Sequence, residues 1–391
     1  VNLNMVGAYG AFLEQLGAAN DPGLLSYRRP EFTDVEAWRA RAREKALDCL
    51  ALPDSGGAPR AEVLEKSVVD GVEAEVLRWQ LPYGPATEAV FLKPQGAAGP
   101  LPGMMALHDH GGMKFFGRHK ISDDGRPNHS MFAQYREEYY GGVAWANALA
   151  KRGYAVLCHD TFPFGSRRVR IADVPPQMRY LEGKPVTDPP EPRVSVPVDD
   201  VWTYNFWAAQ HEHIWAKSLA SAGSTWPALF LSDDMRALDV LCARPEVDAG
   251  RIGCCGLSGG GLRTVYLAGL DPRIQVGICV GMMTTWRDYT LHKAYTHTWM
   301  VWAPSLVKYL DYPEILGLRL PKPTMVLYDE EDTLFTLSEM HRADDMLRAI
   351  YEKAGAADHY VGTFYPGPHK FDLTMQAQAW EWLDRWIGGR G

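Results

Sequence analysis

Two periodicities divide the chain. Apolar residues recur at helical spacing in Val35-Glu-Ala-Trp-Arg-Ala-Arg-Ala-Arg-Glu-Lys-Ala-Leu-Asp-Cys-Leu50, with Thr33 or Asp34 placed to cap the first turn, so residues 1–60 read as a helical N-terminal extension. Between residues 63 and 81 the period changes to two. The alternation turns at Asp70-Gly71, a dipeptide suited to a two-residue hairpin, and Ala89-Val-Phe-Leu92 continues as a strand. Beyond Leu101, short apolar runs at 104–107, 154–158, 251–256, 274–280, 324–328 and 360–364 alternate with helical patterns at 143–152, 232–242, 259–270, 338–354 and 371–387. Strands separated by helices need parallel crossovers, which predicts an α/β fold with a mostly parallel, doubly wound sheet and antiparallel strands at its start.

The alternation fails twice, at about 164–227 and 282–320. Both stretches are too long for ordinary loops in a compact domain, so they read as lid segments inserted in a domain spanning 61–391. A formal net charge of −8 with no dense Lys/Arg stripe argues against nucleic acid and membrane surfaces as partners and leaves a small molecule. No run approaches the length of a membrane span, and no basic segment followed by an apolar one marks a leader. The default location is therefore cytoplasmic, with a removed leader left open because the sequence does not begin with Met. The six cysteines lack C-x-x-C spacing and fall mostly in apolar runs, as small buried hydrophobes do. The pattern carries no signal for oligomeric state.

Candidate chemistry starts at Gly256-Leu-Ser-Gly-Gly260, where a strand gives way to a helix. A G-x-S-x-G turn there is sharp, lifts the serine above the sheet and tolerates only small neighbours, which makes Ser258 a candidate nucleophile. A serine needs an imidazole to take its proton and a carboxylate to orient that imidazole. Both follow downstream, each after a strand: Asp332 in Asp329-Glu-Glu-Asp-Thr-Leu-Phe335, with Asp329 as the other candidate acid, and His369 in Gly367-Pro-His-Lys-Phe371. Amides able to hold an oxyanion are expected from Gly259 and from His110 or Gly111 in His108-Asp-His-Gly-Gly112. Neither this segment nor His211-Glu-His213 completes a metal motif, so no metal is expected. Aromatic residues crowd the two inserted segments, and Trp207, Trp286 and Trp302 are the candidates for substrate contact.

His108-Asp-His-Gly-Gly112, Ala148-Leu-Ala-Lys-Arg-Gly-Tyr154 leading into His159-Asp160 and Phe164-Gly165, Arg244-Pro-Glu-Val-Asp-Ala-Gly-Arg-Ile-Gly253 before the elbow, and the segments around Asp332 and His369 together resemble the α/β-hydrolase superfamily. The likeness is greatest to its dienelactone-hydrolase-like and acetyl-xylan-esterase-like branch, from about residue 85 to the C-terminus. It implies an α/β-hydrolase fold and a serine-dependent carboxylic ester hydrolase that works through an acyl-enzyme without a cofactor. In that family the acid loop commonly starts with glycine, where this chain has Asp329. The expected substrate is a small acyl ester of a sugar or aromatic alcohol. A peptidase or carbon–carbon bond hydrolase using the same three residues is the alternative, and a non-catalytic binding protein the more distant one.

Overall fold

The period-two segment and the short apolar runs assemble into one nine-stranded sheet. The structure, a computed structural model, describes residues 4–191 and 193–388. It begins with helices α1 (Gly10–Ala18) and α2 (Val35–Leu50), then strands β1 (Glu62–Val69), β2 (Val72–Trp79), β3 (Thr87–Pro94) and β4 (Leu101–Ala106). There follow α3 (Met131–Tyr140), α4 (Trp145–Lys151), β5 (Ala155–His159), a minimal hairpin of β6 (Tyr180–Leu181) and β7 (Lys184–Pro185), α5 (Val198–Ser221) and α6 (Trp226–Cys242). The C-terminal half runs β8 (Val247–Leu257), α7 (Gly259–Leu270), β9 (Ile274–Val280), the one-turn α8 (Trp286–Asp288), α9 (Tyr312–Gly317), β10 (Thr324–Asp329), α10 (Leu337–Lys353), β11 (Tyr360–Tyr365) and α11 (Leu373–Trp386).

Sheet order is β1-β2-β3-β5-β4-β8-β9-β10-β11. The pairs from β1 to β5 are antiparallel, and every pair from β5 to β11 is parallel. The first hairpin turns on Asp70 at φ 49° and Gly71 at φ 77°, as its sequence predicts. β5 and β10 are buried along their whole length, whereas β1, at the sheet edge, is largely exposed. Because β4, β8, β10 and β11 run parallel, the loops after them emerge along one edge, where open α/β sheets place their sites.

α2 has the predicted bounds, and the Asp34 carboxylate accepts the amides of Glu36 and Ala37 at 2.9 and 3.1 Å. Trp38, Ala42, Ala46 and Leu50 bury one face of it in the common core, so the extension is packed on the domain. Two elements depart from the periodicity. α3 lies in a stretch without an assigned element, and the first inserted segment holds the 24-residue α5, with polar positions on its outer face. α6 starts six residues before the expected Ser232 because the Thr225 hydroxyl caps it, accepting the Ala228 amide at 3.2 Å, with Pro227 in the first turn. Among the described residues no helix is long and apolar enough to cross a membrane.

Candidate active site

Ser258 sits between β8 and α7 at φ 58° and ψ −119°, a backbone conformation that is costly for any residue with a side chain. It persists because its neighbours are glycines: a methyl group on Gly256 or Gly260 would collide with the Leu107 carbonyl oxygen. The Ser258 amide donates to Val280 at 2.9 Å, which fixes the turn to β9. The sharp elbow expected from the pentapeptide is therefore present, with Ser258 half-buried at the wall of a cavity of about 410 Å³.

His369 lines the same cavity and reaches it from the loop after β11, while Asp332 comes from the loop after β10. His369 Nδ1 lies 2.6 Å from Asp332 Oδ2, and the other Asp332 oxygen accepts the Leu334 amide at 2.9 Å. Asp332 is only 4% exposed, so its charge is well shielded from water. Burial works to lower the His369 pKa, but the Asp332 hydrogen bond and the charges of Asp332, Asp329 and Asp109 outweigh it, and the net shift is upward. The Ser258 hydroxyl has no hydrogen-bond partner among the described residues, His369 included. Such bonds are often long before substrate binds and tighten with it.

Asp329, the other candidate acid, is fully buried beside this pair and accepts the Lys370 amide at 3.1 Å. One donor atom each from Asp329, Asp332 and His369 lie within 4.8 Å of one another. These atoms already serve each other and the Lys370 amide, so the group reads as an acid–imidazole pair with a second carboxyl and not as a ligand set.

The loop after β4 supplies the facing wall. A Cβ on Gly259 would lie 2.8 Å from the His110 amide nitrogen, so the two segments expected to hold an oxyanion run side by side. Among the described residues neither the His110 nor the Gly259 amide has a protein acceptor. Gly111 serves the loop differently: at φ 51° it packs where any Cβ would strike the Tyr135 hydroxyl. Below it, the Asp109 carboxylate accepts from the hydroxyls of Tyr135 and Tyr140 and from Lys120 Nζ at 3.1 Å. Burial opposes its charge, yet Lys120 and the two tyrosines hold it ionised, with the pKa lowered to about 2.

One residue central to this wall has no legible role in the sequence. Glu212 of α5 accepts from His110 Nε2 at 2.7 Å and pairs with the buried Lys114 ammonium. Its second oxygen accepts from the Thr298 hydroxyl at 2.7 Å and the Trp299 amide at 3.1 Å. A single carboxylate thus ties the loop after β4 to both inserted segments. Burial and Lys114 lower the His110 pKa despite Glu212; with Nδ1 accepting the Gly112 amide at 3.0 Å, the neutral ring donates from Nε2 to Glu212. In sequence Glu212 stands out only in His211-Glu-His213, a metal pattern it does not complete.

The aromatic expectations need correction. Trp207 is fully buried and donates to the Met178 carbonyl, Trp286 donates to Leu310 and lines a separate cavity under α1, and Trp302 packs against the core. None of the three lines the Ser258 cavity. Trp202 and Phe206 are exposed on α5 and stack on each other at 5.8 Å with planes 27° apart. With the cavity-lining Ala209 they form an i, i+4, i+7 stripe on the outer face of α5. Trp299 lies between the lining residues Thr298 and Met300 in the second inserted segment. At 38% and 47% exposure, Trp202 and Trp299 are the exposed tryptophans among the described residues.

No protein-family model matches the chain. It is similar to YtaP of Bacillus subtilis (strain 168), provisionally named a hydrolase, with 26% identity over 357 residues, covering 89% of this chain and all of that protein. Its fold is similar to that of a Bacteroides fragilis NCTC 9343 protein provisionally named an acetyl xylan esterase, at TM-score 0.64 and 16% identity, covering 92% of this chain and 82% of the other. A glucuronoyl esterase from Solibacter usitatus superposes at TM-score 0.62 and 15% identity, covering 93% and 97% of the two chains. The chain has the α/β-hydrolase fold, as its motifs imply.

Proposed function

We propose that the protein is a serine-dependent carboxylic ester hydrolase acting through an acyl-enzyme, with Ser258 as nucleophile, His369 as base and Asp332 as the acid that orients it. The observation that carries this reading is the convergence of Ser258, on its strained elbow, and the Asp332-bonded His369 on one cavity. His369 would take the hydroxyl proton as Ser258 attacks the ester carbonyl, and return it to the departing alcohol oxygen. Water would then attack the acyl-enzyme with His369 again as base, releasing the acid and freeing Ser258. The amides of Gly259 and His110, which have no protein acceptor among the described residues, would hold the negative charge that builds on the carbonyl oxygen at each step.

The likeness to YtaP and to the folds of two esterases supports hydrolysis, and of esters in particular. For the substrate we favour a small acyl ester of a sugar. The cavity lies within the usual small-molecule range. Exposed aromatic faces adjoin its lining residues in sequence, Trp202 and Phe206 on the helix turns before Ala209 and Trp299 between Thr298 and Met300, and such faces suit stacking on a pyranose. An activity panel tests this: acetyl esters of aryl alcohols and of oligosaccharides should be hydrolysed, while peptide amides should not. Ser258→Ala should lower turnover by at least roughly 10⁴-fold without unfolding the protein.

A further inference from the structure

Asp329 ends β10 three residues ahead of Asp332, and no part of it reaches solvent. Its Oδ2 accepts the Lys370 amide, whereas Oδ1 has no donor among the described residues. A buried negative charge is costly where one of its oxygens has no donor, and a proton on that oxygen removes the charge. Asp332 lies in the same 4.8 Å cluster, and two carboxyls that close resist being ionised together. We propose that Asp329 is a positioning residue of the acid loop: on the acid side of neutrality it carries a proton on Oδ1 and leaves the negative charge beside His369 on Asp332, and above it Asp329 ionises and adds a second charge.

The groups around it set the direction of its effect. Asp332 faces it from the same loop, His369 and Lys370 from the loop after β11; Asp109 acts on His369 from the loop after β4, and His297 faces the pair from the second inserted segment. Burial raises Asp329 to about 7, with Asp332 adding to the rise and the Lys370 amide and His369 opposing it. His297 is kept neutral by burial, at about 4. Around neutral pH, therefore, Asp329 is the neighbour whose charge changes. As it ionises, a second negative charge favours the imidazolium, and His369 keeps its proton to higher pH. The Ser258 proton still passes to His369 and on to the alcohol; Asp329 exchanges none with substrate.

This inference rests on the reading of Asp332 and His369 as acid and base, but on no particular substrate. Asp329→Asn tests it, because the amide oxygen can still accept from Lys370 while the amide hydrogens replace the carboxyl proton. The measurements are kcat/KM against pH with an aryl acetate and the titration of the His369 imidazole followed by NMR, in wild type and variant. Both should move together to lower pH by roughly half a unit or more. Asp329→Ser, smaller and equally uncharged, should give the same displacement. An unmoved imidazole titration in either folded variant overturns the proposal, and so does a wild-type Asp329 carboxyl that NMR shows ionised throughout the His369 transition. A displaced titration in a protein that hydrolyses no ester supports the role of Asp329 and overturns the esterase reading instead.

Discussion

At the scale of single residues, the site depends on small groups in fixed places. His369 must be neutral to accept the Ser258 proton, and its pKa is raised; the acid limb of kcat/KM should therefore lie above the ordinary histidine value of about 6.5. Asp332→Asn should lower kcat by roughly 10³–10⁴-fold and, by removing the charge that holds the proton, move the limb to lower pH. A pH–rate profile of the two proteins checks both. Gly260→Ala should abolish activity, since its methyl group meets the Leu107 carbonyl oxygen and forces the elbow apart. The convergence of Ser258, Asp332 and His369 on one sheet edge was legible in sequence because each follows a recognisable strand. What the sequence left open was the division of labour between Asp329 and Asp332, since both are acids on one loop and only their burial and hydrogen bonds distinguish them.

At the scale of elements, strand positions, the antiparallel start of the sheet and most helix bounds follow from periodicity, while the strand order and the inserted segments do not. α5 reads poorly because its inner face contacts several unrelated segments and mixes Asn205, His211 and Glu212 with Tyr204 and Trp207. Its contribution to the site is Glu212, which holds the ring of His110, the Lys114 ammonium and the Thr298 turn at once. Glu212→Gln leaves Lys114 as a buried charge without a full partner and should cost about 3 kcal/mol of stability by denaturant unfolding. Adding Lys114→Met should restore much of that loss. Activity should behave differently: both the single and the double variant should turn over more slowly, because in each the oxyanion loop has lost its tie to α5.

At the scale of the whole molecule, a parallel sheet delivers the reacting groups to one edge while the inserted segments shape what reaches them. Of the aromatic residues expected at the substrate, Trp207 and Trp286 belong to the core and Trp302 packs against it, since an inserted segment must first bury its own large side chains. Exposure, which sequence does not reveal, separates Trp202 and Trp299 from the other tryptophans of the two segments, and Phe206 is exposed beside Trp202. Replacing Trp202 and Phe206 by Ala should raise KM for acetylated oligosaccharides by roughly tenfold, about the 1–1.5 kcal/mol of a stacking contact, and leave hydrolysis of a small aryl acetate unchanged. Steady-state kinetics on the two substrates checks it.

The central claim is that Ser258 is the nucleophile. Labelling the folded protein with a fluorophosphonate, followed by peptide mass mapping, tests it most directly. One phosphonyl group should appear, on Ser258, with loss of esterase activity in proportion and no label in Ser258→Ala. Folded protein that hydrolyses esters while Ser258 stays unlabelled, or that carries the label elsewhere, would contradict it.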